Sequence, residues 1–276
     1  NYAALHFRDL ALSSLLARDG TPPDQPAALL SSGERERSHL IAVNQAAHKF
    51  EIQPGFRTTR GLARCPNLLL LDPDFTAEKS ARSETLAFVD SLVPDFEITT
   101  PETYLLDLST LLMASETDWI TQTLSASSYL ALPLQIGLGK TPDLAHLASL
   151  CPNQAAPLTL KLANLALAKN FPLPHAPVLQ LWGLQTLDDL SKLPRQGLAE
   201  RLGKELAKLH DIAHGKHHRL LKLYRAQDHY RITHQFEPPV ANHEPLLFMA
   251  KRLLQTLCNR LHHHQRAAAE IRLSLS

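Results

Sequence analysis

Thr100-Pro101-Glu102-Thr103-Tyr104-Leu105-Leu106-Asp107-Leu108-Ser109 is the stretch on which the fold turns. Pro101 marks a turn, and the run after it is apolar enough to be a buried strand over Tyr104 to Leu108. Asp95 to Thr99, on the near side of the turn, reads as its hairpin partner. Upstream, Leu86, Val89 and Leu92 recur at helical spacing among charges, which predicts a long amphipathic helix over Thr76 to Leu92. Downstream come a helix near Trp119 to Leu130, a strand over Pro133 to Leu138 and a helix over Asp143 to Leu150. A strand over residues 2 to 8 and a helical pattern from Asp9 to Ala17 open the chain. Strand, helix, strand, strand, helix, strand is the order of a split βαβ sheet with helices on one face, so the expected class is α+β.

Residues 20 to 74 interrupt that order as an insertion. Within it, strands are expected over Ala27 to Leu30, Leu40 to Val43 and the leucine run from Leu68, with helices over Asn44 to Phe50 and Thr58 to Arg64. Residues 151 to 177, rich in Pro and Asn, read as a connection. A helical region is expected from Val178 to about Tyr224, with Thr186 capping a helix that opens on Asp188 and Asp189. A strand near His229 to Phe236, a helix over Pro245 to Gln265 and a strand over Glu270 to Leu275 begin a small α/β unit, expected to be incomplete.

The chain has 276 residues, 44% hydrophobic and 20% charged, enough for two or more globular units. A formal net charge of +1 means that any nucleic-acid contact must come from a local patch. Cys65, Cys151 and Cys258 form no C-x-x-C pair and no even set, which fits a reducing cytosol. The apolar run Leu68 to Leu71 is far short of the roughly 20 residues of a membrane span. His6, Arg8 and Asp9 interrupt the start, so a signal peptide is not expected there.

Several constellations invite chemistry. Gly137-Leu138-Gly139-Lys140-Thr141 follows a strand and precedes a helix, but Leu134 stands where a phosphate loop needs its first glycine, leaving a plain strand-to-helix turn as the better reading. His210 and His214, at i and i+4, could be zinc ligands, yet Lys216, Arg219, Lys222 and Arg225 follow them and would repel a cation. Lys204, Lys216, Arg219, Lys222 and Arg225 therefore read as a phosphate-facing surface, weighed against a merely solvated charged helix. His262-His263-His264 reads as exposed helix surface, and no Gly-x-Ser-x-Gly motif is present.

Four stretches, in this order, resemble the Y-family DNA polymerases, and more narrowly their ImuB-type members: Leu5 to Ser13, Val43 to Leu68, Thr100 to Ser109 and Ile136 to Ser149. The resemblance implies a right-hand core: palm over 1-19 and 75-155, inserted α/β fingers over 20-74, helical thumb over 156-225 and the start of a little finger over 226-276. It also places a degenerate metal site. Arg8, Glu102 and Thr103 stand where active members have three acids, and magnesium needs oxygen ligands. Gln45 and His48 replace the tyrosine and arginine that hold the triphosphate, Ser13 the aromatic sugar gate, and Pro142 and His146 two lysines.

On that resemblance the expectation is a protein that is not an enzyme, needs no cofactor, holds no metal, and acts as a cytoplasmic, nucleoid-associated scaffold in SOS-type mutagenesis and translesion synthesis. Implied partners are primer-template DNA, the sliding clamp, an ImuA-type RecA-like protein and an error-prone replicative-type polymerase. Two rivals stand beside it: a divergent polymerase using Asp9, Glu102 and Asp107, and a DNA-binding module using the thumb. Gln180-Leu181-Trp182-Gly183-Leu184 is a loose echo of a clamp-binding peptide, expected to be buried in the thumb.

Overall fold

The computed structural model describes residues 1–31, 38–93, 95–110, 115–150, 161–162, 175–216, 218–224, 242–263 and 267–274, together with 232, 234 and 236. Strands β1 (Tyr2–Phe7), β5 (Phe96–Thr100), β6 (Thr103–Asp107) and β7 (Leu134–Gly139) form an antiparallel sheet in the order β5-β6-β1-β7. The alternation along β1 explains its two faces. Leu5 and Phe7, with Phe96, Tyr104, Leu106 and Ile136, pack against Phe88 and Val89 of α4 (Phe75–Leu92) and the apolar side of α5 (Glu116–Ala126). Phe7 meets Tyr104 and Phe88 edge to face at centroid distances of 6.0 and 6.4 Å, the arrangement that the ring quadrupoles favour. The buried Tyr104 hydroxyl is satisfied by Thr85 Oγ1 at 2.9 Å.

Ala4, Leu105 and Gly137 share the opposite face, one row across the sheet. Helix α6 (Pro142–Ser149), capped by Thr141, lies directly on that row, with Ala145 packed against Ala4 and Leu105, so the sheet carries helices on both faces and not, as expected, on one. The approach is so close that a Cβ at Gly137 would fall 2.1 Å from the Ser149 amide nitrogen and 2.3 Å from the Ala145 carbonyl. Glycine is required there by backbone-to-backbone distance.

The insertion forms its own sheet, β3-β2-β4, from β2 (Ala27–Leu30), β3 (Leu40–Val43) and β4 (Leu69–Leu71), with β2 and β4 parallel. Its helices are α2 (Gln45–His48) and α3 (Thr58–Arg64). Asn44 stitches the insertion together: its Oδ1 accepts from the amides of Ala47 and Ala27 at 2.9 and 3.0 Å, and its Nδ2 donates to the Gln25 carbonyl at 2.7 Å. Leu12 and Leu15 of α1 (Leu10–Arg18) pack on Ala27, Leu29 and Ala42.

Helices α7 (Ala176–Leu181), α8 (Leu187–Ser191), α9 (Arg195–Leu202) and α10 (Lys204–Ala213) share a leucine-rich core with Leu144 and Leu147 of α6. Thr186 and Asp189 close a capping box at the start of α8, as the sequence signals. The helix expected to run to Tyr224 ends at Ala213 instead, and Gly215 turns the chain with φ +64°. Residues 218–224 are non-helical because tertiary acceptors replace the i−4 carbonyls: the Lys222 amide donates to Glu97 Oε2 at 2.7 Å and the Tyr224 amide to the Phe96 carbonyl at 2.6 Å.

The chain divides into two units, Asn1–Tyr224 and Arg225–Ser276. The second contains α11 (His243–His263), an amphipathic helix with Leu247 and Phe248 exposed. The strand expected over Glu270 to Leu275 is absent from its described residues, 270–274. The one expected near His229 to Phe236 falls largely outside the described residues, as do Cys151 and His264.

Candidate functional site

At the Phe7 end of β1 the chain turns through Arg8 and Asp9 into α1, alongside the turn that joins β5 to β6. The Phe7 amide donates to the Glu102 carbonyl at 2.8 Å and the Arg8 amide to the Pro133 carbonyl at 3.0 Å, so this end is pinned from both sides. His6 lies opposite Thr103, with Nδ1 2.9 Å from Thr103 Oγ1, and Thr100 Oγ1 donates to the same oxygen at 2.9 Å. Glu102 Oε1 accepts the Leu10 amide at 3.1 Å, using the carboxylate at the first turn of α1. Asp9 carries a left-handed backbone, φ 49° and ψ 49°, uncommon for a residue with a side chain.

Ser13 is buried and donates its hydroxyl to the Arg8 carbonyl at 2.9 Å, so its side chain fixes the turn. The Arg8 side chain is half-buried, and among the described residues its guanidinium donates no hydrogen bond and forms no ion pair. His6 is held neutral, its pKa lowered from 6.5 to about 4 by burial first, then by the charges of His146 and Arg8. Burial also lowers His146, whose Nε2 is enclosed without a hydrogen-bond partner among the described residues.

The metal that the fold family implies does not fit this residue set. A guanidinium at position 8 repels a cation, Thr103 Oγ1 is bound to two neighbours, and Glu102 is turned to an amide. Among the described residues no group of three or more His, Cys, Asp and Glu gathers where an ion could sit. Asp107, a member of the rival carboxylate set, lies at the other end of β6 opposite Tyr2, where it accepts the Ser109 amide at 2.9 Å. It cannot join Asp9 and Glu102. Gln45 and His48 are exposed on α2.

The basic stretch is split by the structure. Lys204, Lys216 and Lys222 are exposed, whereas Arg225 lies outside the described residues. Arg219 points inward: Nη1 and Nη2 reach Glu97 at 2.7 and 3.0 Å, and Nε reaches Asp143 Oδ1 at 3.0 Å. Glu97 is only 5% exposed. Burial would raise its pKa, but the Arg219 hydrogen bonds, the Lys222 amide and the Arg219 charge outweigh it and hold the carboxyl below its ordinary value. Arg219 is thus a clasp between the 218–224 segment, β5 and α6, a role hidden in sequence because its partners lie 122 and 76 residues away.

His210 is likewise internal, stacked on His214 at 4.3 Å. The Gln180 to Leu184 segment, expected to be buried, is instead exposed from Gln180 to Gly183, with Leu181 and Trp182 86% and 45% exposed, and only Leu184 is partly covered.

Comparisons bear on this geometry. The impB/mucB/samB family model (IMS) matches residues 12–150. A DNA polymerase IV of Clostridium kluyveri is 24% identical over 204 residues, 69% of this chain and 51% of that protein. A DNA polymerase IV of Mannheimia succiniciproducens is 26% identical over 206 residues, 70% of this chain and 57% of its own length. The chain therefore spans little more than half of these relatives. Among solved structures, DinB from Sulfolobus solfataricus superposes with a TM-score of 0.64 at 13% identity, covering 80% of this chain and 68% of that one. A Dbh ternary complex gives 0.63 at 13% identity, covering 80% and 69%. The right-hand Y-family α+β core is thus the fold of this chain.

The expectation that the chain is not an enzyme is corrected here. Both relatives carry the name DNA polymerase IV. The side chains at positions 8 and 103 describe an altered site, but with Asp9 and Glu102 at the same end of the sheet they do not establish inactivity.

Proposed function

Because the chain belongs to the impB/mucB/samB family, we propose that it works on primer-template DNA in damage tolerance, as a Y-family protein of translesion synthesis and damage-induced mutagenesis. The observation that carries this reading is the retained palm: the β5-β6-β1-β7 sheet, with its turn at Arg8 and Asp9 beside Glu102, inside a stretch similar over about 200 residues to proteins named DNA polymerase IV. The exposed Lys204, Lys216 and Lys222 supply cations for a phosphate backbone on a chain whose net charge is only +1. Domain limits follow the same reading, with palm over 1-19 and 75-155, fingers over 20-74, thumb over 156-225 and little finger from 226.

In this role the protein also gathers others at the lesion. Family resemblance names the sliding clamp, an ImuA-type RecA-like protein and an error-prone replicative-type polymerase. Binding of a fluorescent primer-template tests the DNA half directly, and co-purification of those three proteins with the full-length protein from damaged cells tests the assembly half. Absence of primer-template binding at low salt would remove the reading. Nucleotidyl transfer, the activity in the relatives' names, is measured separately by primer extension with magnesium or manganese, comparing the native chain with Glu102→Gln.

A further inference from the structure

We propose that Arg8 is an oxyanion-recognition residue, a built-in cation that takes a phosphate of DNA or of a nucleotide at the palm end where the fold family implies a metal. The inference deepens the primer-template reading and rests on it.

A guanidinium offers five N–H donors in a planar fork, and a half-buried one without partners has lost water without gaining hydrogen bonds. Arg8 is in that state: half-buried, with no described acceptor for its donors. Two acids, Asp9 and Glu102, share this end, and neither takes a hydrogen bond or ion pair from the guanidinium. Glu102, the acid of the facing turn, accepts the Leu10 amide at 3.1 Å. Of the uncharged side chains at this end, Thr103 and Thr100 are tied to each other at 2.9 Å and His6 is held neutral. The backbone at position 8 is fixed twice, by its amide on Pro133 at 3.0 Å and by its carbonyl under the Ser13 hydroxyl at 2.9 Å.

The chain then passes through Asp9 in a left-handed conformation that costs on the order of 1 kcal/mol or more and persists only where the surroundings enforce it. A fixed stem carrying an unused fork suits a tetrahedral oxyanion, which accepts two parallel N–H bonds. The guanidinium itself repels a divalent cation that would sit beside it.

The test uses the full chain in EDTA, with Arg8→Gln, which keeps much of the stem, and Arg8→Lys, which keeps the charge but not the fork. Far-UV circular dichroism and thermal melting confirm that each variant is folded. One arm measures the anisotropy of a primer-template across a salt series; the other titrates a deoxynucleoside triphosphate by calorimetry. Arg8→Gln is expected to weaken one of the two about tenfold, with Arg8→Lys between it and the native chain. Loss on the DNA arm, with a salt slope smaller by about one, assigns a backbone phosphate; loss on the nucleotide arm assigns the triphosphate. Equal affinity of native chain and Arg8→Gln on both arms overturns the inference while leaving the primer-template reading intact. Failure of the native chain itself to bind DNA brings down that reading and this one together.

Discussion

The Arg219 guanidinium grips the Glu97 carboxylate with two hydrogen bonds, 2.7 and 3.0 Å long, across 122 residues of chain. Glu97 is buried and Arg219 about a quarter exposed, so the pair lies between a surface bridge and a core one. Removing one partner of a buried pair strands the other charge and costs about 3 to 5 kcal/mol. With partial solvent access, Arg219→Ala should cost about 2 to 3 kcal/mol in urea unfolding of the first unit. A loss within ±0.5 kcal/mol, the range of an ordinary surface change, would show that the clasp contributes nothing.

Acid should loosen the palm. His6 binds protons less readily folded, with a pKa of about 4, than at its ordinary 6.5. Between those values the unfolded chain carries more protons, so stability rises with pH. The contribution is complete above pH 6.5 and falls as pH drops toward 4, by up to about 3 kcal/mol at about 1.4 kcal/mol per tenfold change in proton affinity. His146 and Glu97, both lowered, act with the same sign, Glu97 at pH values below its ordinary 4.5. Urea midpoints between pH 7 and 4.5 should decline in the native chain and decline less in His6→Gln. Parallel declines would assign the acid sensitivity elsewhere.

Gly137→Ala should destabilise strongly, because the added methyl meets the α6 backbone at 2.1 to 2.6 Å and cannot be relieved by a rotamer. Overpacking of this kind costs about 1 to 3 kcal/mol or more. Gly197→Ala, where nothing lies within 4 Å, is the control and should leave the thermal melting point unchanged or raise it. Equal melting points for the two variants would contradict the close seating of α6.

Charge reversal separates phosphate binding from structure. Lys204→Glu with Lys216→Glu should weaken primer-template binding and lower the salt slope by about 0.9 for each phosphate no longer neutralised, with little effect on melting. Arg219→Glu should do the reverse and act through stability, because its guanidinium is already engaged by Glu97 and Asp143. If the lysine pair changes neither affinity nor slope, the DNA surface lies elsewhere.

The palm was legible because its strands obey local rules. Tyr104 to Leu108 could be read from apolar run and turn residues, and β2, β3 and α3 fall at their expected limits. The helix past Ala213 was misread because the fate of Lys222 and Tyr224 is decided by acceptors on β5, which periodicity cannot reveal. Arg219 looked like a DNA contact for the same reason, as its neighbours in sequence are basic and its partners in space are acids. The resemblance of the four stretches drew attention to positions 8, 13 and 103. What sequence could not supply was their new employment, above all the Ser13 hydroxyl on the Arg8 carbonyl and Glu102 on the Leu10 amide.

The central claim, that this chain engages primer-template DNA, is tested most directly by the dissociation constant of a labelled primer-template measured against salt. The account predicts binding at low salt that weakens linearly in log Kd against log salt, with tighter binding to primer-template than to blunt duplex of equal length. Absence of binding at low salt, or an affinity indifferent to salt and to the primer end, would contradict it.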